Sequence, residues 1–167
     1  MLRTNAKIWI VIGLLASAAA AQAQSAAQGI GSLSGGERLR VRGCGRSASP
    51  VTLAVTLNQA GAWSATEGST TYTGTSTALS RRVLRLALDA ASLAAFEAFL
   101  EAEASDLCDE AVTLSSLSAG GLLKLNKRET FARMRVRARG EGTSASGESG
   151  AAVYRLRVRG AWNRAEI

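Results

Sequence analysis

Arg38-Leu39-Arg40-Val41-Arg42-Gly43 recurs unchanged as Arg155-Leu156-Arg157-Val158-Arg159-Gly160, and a near copy stands at Arg135-Val136-Arg137-Ala138-Arg139-Gly140. Strict alternation of charged and apolar residues is the period of a β-strand with one dry and one wet face. Each copy therefore predicts arginines on one side, aliphatic residues on the other, and a stop at glycine. If the last two copies form a hairpin with a common core face, Met134 and Val136 share that face with Tyr154, Leu156 and Val158. Arg135, Arg137 and Arg139 then lie opposite or diagonal to Arg155, Arg157 and Arg159, and directly opposed like charges cost roughly 0.2–1 kcal/mol a pair.

Strand signals continue on either side of these copies. Val51–Leu57 and Arg82–Leu88 alternate cleanly, and Thr71–Thr75 is rich in β-favouring Thr and Tyr. Val112–Leu117, Gly121–Lys127, Thr130–Arg139 and Ala152–Trp162 read as further strands. Two stretches between them read as turn or loop: Cys44–Pro50, which holds the one proline, and the polar run 141–150. A single helix is predicted over about 90–107, with Asp89 as N-cap and an apolar stripe of Leu93, Phe96, Leu100, Ala104 and Leu107 edged by Phe99. The fold class is mainly β: an antiparallel up-and-down meander of eight or nine strands, forming a barrel or a two-sheet sandwich, with that helix packed on it. Asp89–Glu110 carries seven carboxylates and no basic residue. Glu97, Glu101 and Glu103 flank the stripe, where they are expected to meet arginines rimming the sheet.

The chain begins with a different signature. Arg3 and Lys7 precede an apolar run, Ile8–Ala21, and then Ala21-Gln22-Ala23, which is the layout of a secretory signal peptide over residues 1–23; an uncleaved anchor is the alternative. Removing 23 of 167 residues leaves 144, enough for one domain. Residues 24–36, mostly Ala, Gln, Ser and Gly, read as a disordered leader, and 37–167 as a single β domain. Cys44 and Cys108, the only cysteines, predict one disulfide in an oxidising compartment, with free thiols or a redox pair as the alternative. The expected location is the periplasm or the outside of a bacterial cell.

Without histidine, a Ser-His-Asp or Cys-His site is excluded, as are the usual zinc sites. The close carboxylates Glu101 with Glu103, and Asp106 with Asp109 and Glu110, have neither the spacing nor the glycine of a calcium loop. No catalytic residue, metal site or cofactor is expected. Three readings of the arginines stay open. They can coat a solvated sheet face. They can line the lumen of an outer-membrane barrel, which eight aromatics are too few to girdle. Or Arg38, Arg40, Arg42, Arg135, Arg137, Arg139, Arg155, Arg157 and Arg159 can bind an anionic cell-envelope polymer or lipid A-type phosphates. Nucleic acid fits less well, because the arginine strands offer few aromatic platforms for bases.

Gly61-Ala62-Trp63 and Gly160-Ala161-Trp162 each resemble the Gly-x-Trp element of lipocalin-like proteins. The resemblance implies a secreted β-barrel and, as a second functional reading, a carrier for a small apolar molecule. In that family the helix follows the barrel; here it interrupts the meander. Trp63 and Trp162 are expected to be core anchors.

Overall fold

The computed structural model describes residues 28–164, so the expected signal peptide lies outside the described residues. Eight antiparallel strands follow in chain order: β1 (Gly29–Val41), β2 (Gly45–Leu57), β3 (Ala62–Glu67), β4 (Thr70–Ser80), β5 (Val83–Leu88), β6 (Val112–Leu125), β7 (Phe131–Ser144) and β8 (Ser149–Asn163). Each pairs with the next, and β1 closes on β8 from Ile30 opposite Asn163 to Val41 opposite Ala152. Of barrel and sandwich, the chain forms the barrel. One helix, α1 (Ala90–Cys108), stands between β5 and β6.

The hydrophobic alternation sets the interior. Leu33, Leu53, Val55, Leu86, Leu123, Met134, Leu156 and Val158 are all buried. Trp63 is buried as well, and its indole N–H donates to the carbonyls of Thr75 and Ala87, tying β3 to β4 and β5. Trp162 lies against the bare backbone of Gly29 and Gly31, where a Cβ would come within 2.5 and 2.6 Å of the indole.

Four expectations are corrected, and glycine bears on three of them. Residues 29–36, read as leader, form the first half of β1, because their glycines make room for Trp162 and for the neighbouring strands. The segments 112–117 and 121–127 are one strand, β6, which makes eight strands rather than nine. Gly121 faces inward, and a Cβ there would sit 3.2 Å from that of Leu86. The run 141–150 is mostly ladder, with β7 reaching Ser144 and β8 starting at Ser149, and Gly142 fits against Val112. Finally, 45–50 is strand, since β2 begins at Gly45. Pro50 fits there because β3 pairs with β2 only over Ala54–Leu57, leaving a free edge where a missing N–H costs nothing.

Strand length is uneven, and this positions the helix. β3 and β5 have 6 residues each, whereas β6, β7, β8, β1 and β2 have 13–15. β5 meets β6 only over Val83–Leu86, so the five long strands rise above the short ones as an open, curved wall. α1 fills the hollow of this wall. Phe96, Leu100 and Ala104 of its stripe are buried, while Leu93 and Leu107 are half-buried at the margins. Asp89 caps the helix by accepting from the Ser92 N–H, and it also accepts from the Thr73 hydroxyl on β4. At the other end, Cys108 is bonded to Cys44 in the β1–β2 turn, with a Cα–Cα distance of 4.7 Å.

The disulfide closes a 64-residue separation, so replacing both cysteines by serine should lower the unfolding free energy by about 2–4 kcal/mol, read by denaturant unfolding extrapolated to water, with a higher m-value as the released unfolded chain expands. Hydrogen bonds from Thr73 and Ser92 hold the Asp89 carboxyl below its usual range. A lowered carboxyl pKa stabilises the fold above the unfolded-state value, near pH 4, and the stabilisation is lost as the pH falls toward the folded-state value. Asp89→Asn keeps a capping side chain, so it should flatten the acid limb of the stability profile while leaving helix content intact.

Candidate anion-binding face

The wall that cradles α1 on its concave side presents its arginines on the convex side. Leu39 and Val41 of β1, Met134 and Ala138 of β7, and Tyr154, Leu156 and Val158 of β8 are buried, and the arginines between them are exposed. The hairpin register is the expected one, with Val136 opposite Leu156. Arg135 faces Arg157, and Arg137 faces Arg155.

Barrel closure extends these pairs into rows. Arg155 stands between Arg137 on β7 and Arg38 on β1. Arg157 stands between Arg135 and Gly36. Below them, Arg159 faces Arg133, and Arg133 faces Lys124 on β6. Arg40 faces Arg46 on β2. Arg42 lies in the β1–β2 turn, and Arg139 lies at the upper end opposite Val153. All nine arginines singled out in the sequence therefore share the outer wall of three adjacent strands and the turn after β1. Three further basic residues join them. Arg133 continues the alternation of β7, a signal legible in the sequence. Lys124 and Arg46 join through register, and Arg46 falls in a segment that reads as a turn.

The arginines find no partner in the helix. Among the described residues the ion pairs are Arg81 with Glu129 at 3.9 Å and Arg164 with Glu129 at 3.5 Å, both at the end of the barrel away from α1. This overturns the expectation that Glu97, Glu101 and Glu103 meet the arginine rim: the sheet itself separates the helix from the guanidinium groups. The acidic residues have other contacts. Glu101 accepts from the Leu114 N–H at 2.7 Å, next to the β-bulge that shifts the β6–β7 register. Glu110 accepts from the backbone N–H and hydroxyl of Ser146, which hold its carboxyl below the usual range. Asp109 is the left-handed C-cap of α1.

The face is not uniformly covered. Arg38, Arg155 and Arg157 surround a shallow depression over Gly36, where the missing side chain leaves the strand backbone as a floor. A second depression, beside Gly120, is edged by Arg137, Arg139 and Arg155. Three guanidinium groups around a bare backbone floor suit a phosphate or sulfate, whose oxygens accept paired N–H bonds.

Unpaired like charges in register oppose folding. Arg157→Gln should therefore raise stability by roughly 0.2–1 kcal/mol at low ionic strength, and the gain should shrink in about 1 M salt, measured by urea unfolding at both salt concentrations. No family model matches the chain, and comparison with the curated proteins and with the solved structures finds no match either.

Proposed function

We propose that the protein is an exported, non-enzymatic module that binds anionic polymers or lipid A-type phosphates of a bacterial envelope through the convex face of β7, β8 and β1. The observation that carries this reading is the continuous set of outward arginines with no carboxylate of the described residues within ion-pair distance. A basic surface balanced by its own carboxylates would gain little from an external anion, but an unbalanced one gains counterion release and relief of its internal repulsion. The Cys44–Cys108 disulfide supports an oxidising compartment, the periplasm or the cell exterior. Among the described residues, no helix is long and apolar enough to cross a membrane.

Two other ligand classes have less support. Trp63, Tyr154 and Trp162 are buried and Phe96 packs beneath the helix, so stacking platforms for nucleic-acid bases are not interleaved with the arginines. A lipocalin-like carrier has barrel closure in its favour, but the interior holds an apolar cavity of only about 60 Å³, well under the roughly 300 Å³ at which drug-sized ligand pockets begin.

The test is retention on immobilised heparin and on lipopolysaccharide. Wild-type protein should be retained and released by salt, and replacing Arg135, Arg137, Arg155 and Arg157 together by Gln should move elution to markedly lower salt. Elution unchanged by the four replacements would refute the reading.

A further inference from the structure

Side chains that point into a narrow barrel are ordinarily apolar, yet two here are carboxylates. Glu37 occupies the inward set of β1, between Leu33 and Leu39, and Glu67 follows Trp63 and Ala65 in the inward set of β3. The Tyr154 hydroxyl donates to Glu37 Oε2 at 2.6 Å. Glu67 lines the 60 Å³ cavity together with Trp63, Tyr72, Phe96 and Tyr154. Phe96 descends from α1 and meets Tyr72 edge-on at 5.7 Å and Tyr154 edge-on at 5.2 Å between ring centroids.

The charge of this recess is the reverse of that of the outer wall. No lysine or arginine lines it. The Glu67 carboxyl is pushed up, first by partial burial and then by the neighbouring Glu37 carboxylate. The Tyr72 and Tyr154 phenols are pushed up by burial and by the same two acids. The three candidate ligand chemistries then separate. An anion would be repelled. A neutral apolar molecule would cover the Glu67 carboxylate without pairing its charge. A cation carrying small alkyl groups would place its charge near the Glu67 carboxylate and its methyl groups on the ring faces, the arrangement by which aromatic sites hold ammonium ligands.

We propose that the recess beneath α1, lined by Glu67, Tyr72, Phe96 and Tyr154, with Glu37 behind the Tyr154 hydroxyl that donates to it, binds a small organic ammonium ion. Its size, about 60 Å³, suits a methylated ammonium head or a short alkylammonium and not a drug-sized ligand. The site is on the opposite side of the wall from the arginines and does not rest on the anion-binding reading, so either can fail alone.

Calorimetry and the fluorescence of cavity-lining Trp63 provide the test, with choline, butylammonium and the neutral carbon isostere of choline, 3,3-dimethylbutan-1-ol, as probes. Choline or butylammonium should bind saturably at millimolar concentration or below, and the neutral isostere at least about tenfold more weakly, the scale of one lost charge contact in a partly buried site. Glu67→Gln changes an exposed side chain, and Glu37→Gln keeps an acceptor for Tyr154, so both should remain folded by circular dichroism. Glu67→Gln should weaken ammonium binding by a similar factor and Glu37→Gln by less, both leaving heparin retention as in the wild type. Three results would overturn the proposal: no saturable signal with either ammonium, equal binding of the isostere, or unchanged ammonium affinity in both variants.

Discussion

Closing a sheet on itself gives every strand one dry face and one wet face, and the arrangement of this molecule follows from that division. Leucine, valine and the rings occupy one side of the wall; the guanidinium groups occupy the other. The two sets alternate along one backbone, so neither can move without the other, and a one-residue slip in register would bury arginine and expose leucine. The β1–β8 closure then determines how many arginines stand together. Without it, Arg38 and Arg155 would lie on opposite edges of an open sheet; with it, they are neighbours.

The unequal strands place the helix. β3 and β5 are too short to complete the upper half of the barrel, and α1 takes the vacant place, with Phe96, Leu100 and Ala104 supplying apolar surface that two longer strands would otherwise provide. Because α1 sits inside the curve, its carboxylates are on the wrong side of the sheet to neutralise the arginines. They act locally instead, at the helix N-terminus, beside the β6 bulge and at the β7–β8 turn. The same geometry brings Glu67 and the aromatic rings together under the helix. Basic and acidic surfaces thus lie back to back across a single layer of strands.

Much of this was legible in the sequence because it rests on period two. The alternation of Arg135–Arg139 and Arg155–Arg159 specified faces and register, and Asp89 marked the helix start. Signals that depend on what a residue packs against were not legible. Gly29 and Gly31 read as leader, Gly142 as loop and Gly121 as the start of a separate strand, but each is a place where another side chain comes close to bare backbone, which a one-dimensional pattern does not carry. The partnership expected between helix carboxylates and sheet arginines failed for a similar reason: composition shows complementary charge but not which side of a sheet each charge occupies. In the sequence, Glu37 looks like an ordinary wet-face residue at the start of a strand, and Glu67, beside Gly68, like part of a turn. Their inward direction emerges only when each is counted from a buried neighbour, Leu39 or Trp63.

The β1–β8 closure also affects how the chain reaches this state. Its contacts join residues separated by most of the described chain, so it belongs to the slow, long-range part of folding. Until it forms, β1 and β8 each present an open hydrogen-bonding edge, the usual template for pairing with another molecule. Both strands carry arginine at every second position over Arg38–Arg42 and Arg155–Arg159. Two such edges from different copies would meet charge against charge, and so would the closure itself at Arg38 and Arg155, but only the intramolecular pairing is aided by the tether of one chain and by the burial of a shared core. The charge pattern that strains the finished barrel is therefore also a safeguard against aggregation while the barrel is open.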